Sequence, residues 1–208
     1  MSLYKTISIG GGLIGIWQLN ESINNLLPEF LEDELSDPLF ARYTHDKRKL
    51  EWLATRLLLK EMIGNKFSLS YLASGKPLLV HETFKKISIT HSRNFVAVIV
   101  HESENVGIDI EDTTRNFQRV EKRFLSAEEL GFVQENQLLK CLFWCAKEAI
   151  FKLVDEEGIE FREQIIVTAD PENENQFLAR YITTHKKVTY SLNYEFFAGN
   201  CLVWVVNR

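Results

Sequence analysis

The sequence predicts an α+β protein of two lobes. Two observations carry this expectation. Residues 45–63 and 138–155 both place apolar side chains at helical spacing, one stretch in each half of the chain. Each stretch is accompanied by several short strand-like runs, so each half reads as one major helix plus strands. The order of elements is comparable in the two halves, although their sequences are not visibly repeated. A break near residues 101–105 divides the chain into an N-terminal α+β lobe, 1–102, and a C-terminal α+β lobe, 103–208.

The elements follow in order. Residues 4–9 and 13–19 read as short strands joined by glycines, and 20–37 as a polar stretch. In 45–63, Leu50, Leu53, Leu57 and Ile63 fall on one helical face, and Gly64-Asn65 is a stop signal. Runs 67–72 and 78–81 flank the turn Ser74-Gly75-Lys76-Pro77. Runs 87–90 and 95–100 flank a polar turn at 91–94, and a strand over 105–111 opens the second lobe. Residues 113–123 form a loop or short helix. Ser126 starts a helix, residues 138–155 form the strongest helix of the second half, and 164–168, 178–183, 188–196 and 201–206 are strands.

The chain has 208 residues, 45% hydrophobic and 25% charged, as in ordinary globular proteins. Its net charge of -5 and pI near 5.6 argue against a nucleic-acid partner. No run approaches the ~18 apolar residues of a membrane span, and no signal-peptide pattern opens the sequence, so a cytoplasmic protein without a membrane partner is expected. Three cysteines in apolar surroundings read as buried thiols of a reducing compartment. No zinc-type spacing is present. Gly10-Gly11-Gly12-Leu13-Ile14-Gly15 matches a dinucleotide fingerprint by letters alone. No helix of the needed length follows, so an inter-strand turn is the better reading.

The most informative segment is Val106-Gly107-Ile108-Asp109-Ile110-Glu111. Its alternation sends Val106, Ile108 and Ile110 to one face and Gly107, Asp109 and Glu111 to the other. The two carboxylates then stand roughly 7 Å apart, at about 3.4 Å per residue. A third acid, Glu148, lies between Lys147 and Lys152 on the second long helix. Three acids that can converge suit a hard divalent cation, and the lysines suit a polyphosphate held by it. Each residue also has an ordinary reading. Asp109 and Glu111 suit the solvated face of an edge strand. Glu148 and Lys152 have the spacing of an exposed i,i+4 ion pair. Ser126 to Glu129 is a capping box. His91 suits a polar turn, and the charges Arg48, Lys49, Arg56 and Lys60 a solvated helix face.

Together, Gly75-Lys76-Pro77, Ile89-Thr90-His91-Ser92, Val106 to Glu111, Arg123-Phe124-Leu125-Ser126-Ala127-Glu128-Glu129 and Trp144-Cys145-Ala146-Lys147-Glu148-Ala149 occur in an order that resembles the 4′-phosphopantetheinyl transferase superfamily, in its surfactin-synthetase-activating branch. The resemblance implies a pseudo-dimer of two similar α+β lobes with the active site in the cleft between them. It implies transfer of the phosphopantetheine arm of coenzyme A to a serine of an apo acyl, peptidyl or polyketide carrier protein by a monomeric enzyme. Asp109, Glu111 and Glu148 would hold Mg2+. His91 and Lys152 would bind the coenzyme A phosphates, with Lys152 helping the leaving group. Lys76 and Arg48 would reach the adenosine 3′-phosphate, and Glu129 would position metal-bound water. Cys145 stands where Ser or Thr is common, and the acids Asp155, Glu156 and Glu157 replace a glycine-flanked stretch. The alternative is a non-catalytic module that binds coenzyme A or carrier proteins.

Overall fold

The computed structural model describes residues 2–173 and 176–207; the outermost residues of the two expected lobes, 1 and 208, lie outside them. The fold is α+β. Strands β1 (Leu3–Ile9) and β2 (Gly12–Gln18) form a hairpin. Short helices α1 (Ile23–Leu26), α2 (Glu32–Leu35) and α3 (Pro38–Arg42) lead to the long α4 (Asp46–Ile63). Then come β3 (Phe67–Tyr71), β4 (Pro77–His81), β5 (Lys86–His91), β6 (Phe95–His101) and β7 (Val106–Asp112). Helices α5 (Glu121–Phe124), α6 (Ala127–Val133), α7 (Gln137–Val154) and α8 (Phe161–Gln164) precede β8 (Ile165–Ala169), β9 (Phe177–Ile182), β10 (Lys187–Phe197) and β11 (Asn200–Val206).

One sheet has the order β1-β2-β6-β5 and another β7-β11-β10-β9-β8, while β3 and β4 pair separately. Strand alternation sorts the core into layers. Trp17, Val96, Val98 and Val100 face α4. Ile14, Ile16, Ala97 and Ile99, on the other face of the same strands, meet Val106, Ile108, Ile110 and Leu202 of the second sheet. Cys201, Val203 and Val205 then pack on α7. Each fully buried Val, Leu or Ile contributes about 1.5–3 kcal/mol, so the middle layer is a main tie between the sheets.

The triple glycine is a hairpin turn, as expected. Gly11 takes φ 75°, and the His101 ring bonds the Gly10 carbonyl at 2.8 Å. The polar stretch 20–37 is not extended. Leu26 and Phe30 bury against α4, which folds the stretch into short helical turns. This corrects the solvated basic face expected of α4 for Arg56 and Lys60, while Arg48 stays exposed. Arg56 is buried, lies over the Trp52 ring and donates to Asp37 at 3.0 Å, and Lys60 pairs with Glu34 at 2.8 Å. Those charges fasten the stretch to the helix.

Gly107 sets where α7 lies. A Cβ there would stand 1.9 Å from the Ala149 carbonyl oxygen, so the helix can cross β7 this closely only over a glycine. The outer edge of β7 is not solvated either. Ser88 and Thr90 of β5 accept hydrogen bonds from the Ile108 and Ile110 amides, each at 3.3 Å. Side-chain hydroxyls thus satisfy an edge that would otherwise present unpaired amides. No helix among the described residues is long and apolar enough to cross a membrane.

Candidate active site

The alternation of β7 turns Asp109 and Glu111 toward α7, and both faces of the strand are covered. Asp109 is only 7% exposed, which removes the solvated-edge reading for it. Its Oδ1 accepts from Thr90 Oγ1 at 2.8 Å and from Lys152 Nζ at 2.7 Å. Lys152 also donates to the Ile108 carbonyl at 3.0 Å, so it spans α7 and β7. Glu111 is paired with Arg115, whose guanidinium lies 4.6 Å from the Trp144 ring centroid.

Glu148 differs from its neighbours. Lys152 turns to Asp109, so the i,i+4 contact expected on α7 does not form, and Glu148 has no hydrogen bond or ion pair among the described residues. It is half-buried. Burial first, then the charge of Asp109 and, less, that of Glu111 outweigh Lys152 and Arg115 and push its carboxyl up to about 7. A carboxyl near neutrality beside two other acids marks a place where negative charge lacks balance. The donors are all hard oxygens, which suits magnesium. As placed, the three carboxylates do not bring ligand atoms within 4.8 Å of one another, because Asp109 and Glu111 are drawn to Lys152 and Arg115.

A cavity of about 570 Å³ adjoins this group, lined by Lys76, Pro77, Ile87, Ser88, Phe151 and Lys152 with the turn Asp155 to Gly158. A smaller one, of about 160 Å³, shares Lys76, Pro77, Ile87 and Lys152 and adds Lys85 and Lys86. Four lysines thus surround connected concave surface on a chain of net negative charge. The acids of the turn are largely engaged. Asp155 pairs with Lys76 at 2.6 Å, and Glu156 with Lys186 and the Tyr181 hydroxyl at 2.6 and 2.7 Å.

His91 and Arg48 form a separate group. Thr90 faces Asp109 and the next residue, His91, faces α4, as alternation requires. There Glu51, 6% exposed, lies 3.1 Å from His91 Nε2 and 3.0 Å from Arg48 Nη1. Burial raises the Glu51 carboxyl, but the bond to His91 and the charges of His91, Arg48 and Lys47 win, and it falls below the usual carboxylate value.

Glu129 is a fastening point. It is 2% exposed and completes the capping box with Ser126. One carboxylate oxygen accepts from the Ser126 amide and Lys147 Nζ, at 2.7 and 2.8 Å, and the other from the Val167 amide at 2.8 Å. This arrangement supports the capping reading and leaves the carboxylate no exposed oxygen for solvent or a metal-bound water.

Sequence reasoning missed Glu51, Thr90 and Arg115. Glu51 was within reach, since it follows Arg48 at i,i+3 on a helix. Thr90 stands inside the quoted Ile89-Thr90-His91-Ser92 run, and only tertiary pairing reveals its bond to Asp109. Arg115 follows β7 in an irregular segment, where spacing carries no direction.

Residues 105–199 match the model of the 4′-phosphopantetheinyl transferase superfamily. The matched span contains Asp109, Glu111, Glu129, Glu148 and Lys152, and leaves Arg48, Lys76 and His91 outside it. The chain is also 27% identical over 126 residues to proteins named 4′-phosphopantetheinyl transferase AcpT from Salmonella typhi and Salmonella typhimurium. Each match covers 57% of this chain and 66% of the relative, just under two thirds of the relative's length. These likenesses support the superfamily for the part of the chain they cover.

Proposed function

We propose that this protein transfers the 4′-phosphopantetheine arm of coenzyme A to a serine of an apo acyl, peptidyl or polyketide carrier protein, releasing 3′,5′-ADP. The observation that carries the reading is the grouping of Asp109, Glu111 and Glu148 around Lys152 inside the span that matches the superfamily model. The motif order favours the surfactin-synthetase-activating branch. Its pseudo-dimer of lobes, 1–102 and 103–208, suits the two helix-backed sheets, with coenzyme A in the lysine-lined cavities between them. A cytoplasmic monomer fits the same reading.

Asp109, Glu111 and Glu148 would hold Mg2+, Glu111 releasing Arg115 to do so. The ion, when bound, neutralises charge that builds on the pyrophosphate oxygens. The chain's own residues do the rest. Lys152, already spanning α7 and β7, donates to the pyrophosphate and to the departing phosphate oxygen. Lys76 exchanges Asp155 for the adenosine 3′-phosphate, and Arg48 and His91 extend the anion contacts along the ligand. Glu148, in the carboxylate form that would also hold the ion, would accept the proton of the attacking serine hydroxyl on its other oxygen. Attack occurs in line at the β-phosphorus, so the serine O–P bond forms as the anhydride bond breaks. Glu129 and Lys147 keep α6, α7 and β8 in register.

The test is a mass measurement. With coenzyme A and magnesium, the protein is expected to add one phosphopantetheine to an apo carrier. A panel of fatty-acid, polyketide and peptide-synthesis carriers without mass gain, from protein that still binds coenzyme A, would leave the binding-module alternative.

A further inference from the structure

Beside the carboxylates, on the same α7-facing side of the sheet, lie three thiols that the transfer chemistry does not use. Cys141 and Cys145 stand one turn apart on the same face of α7. Cys201 faces them from β11, where its ladder partner is Glu111. All three are free and fully buried, and their Sγ atoms lie within 4.8 Å of one another. Cys145 Sγ also lies 3.6 Å from the Cys201 carbonyl oxygen, which joins helix and strand at this point. Compact thiolate sites have metal–sulfur bonds of about 2.3 Å, which puts their sulfurs roughly 4 Å apart. The thiols therefore need to close by less than an ångström.

We propose that Cys141, Cys145 and Cys201 form a binding site for one soft, thiophilic cation, with copper(I) the best match. The donor set decides this. Sulfur donors select soft ions and reject magnesium and calcium, which require oxygen. No histidine or carboxylate joins the set among the described residues, so the fourth ligand that structural zinc requires is missing, whereas copper(I) accepts three sulfurs in a plane. Ala146, Leu142 and Val203 belong to the same core, and a dry pocket protects a univalent ion from oxidation. Binding replaces thiol protons, which leave to solvent, and transfers no electron. The sequence conceals the site, because Cys201 follows Cys145 by 56 residues and Cys141 to Cys145 is not a metal-type spacing. The protein would then sort cations by hardness on one α7-facing side of the sheet: a hard ion at the carboxylates of β7 and α7, a soft ion at the neighbouring thiols between β11 and α7.

The experiment uses the full reduced chain under anaerobic conditions, with copper(I) competed against the chromophoric chelator bathocuproine disulfonate. One equivalent per chain is expected to be retained. Uptake is expected to be slow, since buried thiols load only through local opening, so readings are taken at equilibrium. Loading should raise the melting temperature, and excess magnesium should not displace the copper. X-ray absorption of the loaded wild type should find three sulfur neighbours and no oxygen or nitrogen. Cys201→Ala and Cys145→Ala should each lose retention. No uptake at equilibrium, oxygen or nitrogen donors at copper, or unchanged uptake in Cys201→Ala overturns the proposal and leaves the cysteines as small apolar packing groups. Should the variants fail to fold, the absorption spectrum of the wild type decides alone. None of these readouts depends on phosphopantetheine transfer.

Discussion

Two lysines of α7, Lys147 and Lys152, stand five residues apart and meet acids in opposite ways. Lys147 is fully buried and donates to Glu129 and to the Phe161 carbonyl, while the other Glu129 oxygen takes the Val167 amide. Every charge there has a partner. Lys152 meets Asp109, but Glu148 is left over, and its carboxyl rises to about 7. A balanced buried pair fastens elements. An unbalanced, half-buried group retains unused capacity for a ligand, which is where chemistry can be done. The difference can be tested by removing acids on each side in turn.

The largest effect is expected from the balanced side. Glu129→Ala leaves the Lys147 ammonium and the Val167 amide buried without their acceptor. A loss of about 3–5 kcal/mol is expected in denaturant unfolding. Burial already holds the Lys147 amine below its usual value. Without Glu129 it is lowered further, so the unfolded chain binds the extra proton. The variant's deficit should therefore shrink as pH rises toward the lysine range. A loss under 1 kcal/mol would make Glu129 a less important fastening than its three hydrogen bonds indicate.

On the unbalanced side, Asp109→Ala should cost at least ~100-fold in turnover, about 2.7 kcal/mol, by analogy with loss of one electrostatic stabiliser. Asp109→Asn keeps an oxygen for Thr90, so the carboxylate's charge is tested apart from its position. EDTA should stop the wild type and magnesium restore it. Full turnover in EDTA removes the metal assignment.

Glu148→Gln separates site from scaffold most cleanly. In the wild type the folded protein holds a proton on Glu148 up to about pH 7, against a reference value of 4.5, so between those values the folded state binds more protons than the unfolded chain. Stability then falls as pH rises through that window. The glutamine variant should lack this fall and be more stable at pH 8 by on the order of 1–3 kcal/mol, while turnover collapses. Normal turnover would return Glu148 to the scaffold and weaken the three-acid group.

Much of this was legible in the sequence, because local pattern fixes what local pattern can. The bounds of the expected strands and of the two long helices fall within about two residues of expectation, the short helices α1, α2, α3 and α8 were not foreseen, and Val106 to Glu111 alternates as read. The pairings were not legible. Lys152 could have met Glu148 on its own helix or Asp109 across the fold, and helical spacing favours the first. Only the crossing of α7 over Gly107 brings Asp109 within reach. The same holds for Arg56, read as surface charge until Asp37 and Trp52 close over it. Glu129 carried two meanings in the sequence, cap and site. Its third partner, Val167, lies 38 residues away on β8 and supports the cap.

The smallest expected effect concerns the cavity rim. Lys76 and Asp155 are both partly exposed, and such a pair contributes no more than about 1 kcal/mol to stability. Its interest lies in competition. Lys76 can meet an anionic ligand only by giving up Asp155, so the carboxylate occupies a place that a phosphate would take. Asp155 also has left-handed backbone, with φ 53° and ψ 45°, which asparagine adopts more readily than most residues. Asp155→Asn therefore removes the charge without straining the turn. Coenzyme A should bind up to about fivefold more tightly, the equivalent of ~1 kcal/mol. The gain should fade as salt is raised, because the pair is within reach of screening. Calorimetric titration at two ionic strengths measures both. Weaker binding in Asp155→Asn would mean that the carboxylate aims Lys76 at the ligand instead of withholding it, and the acidic turn would then be a support of the cavity and not its competitor.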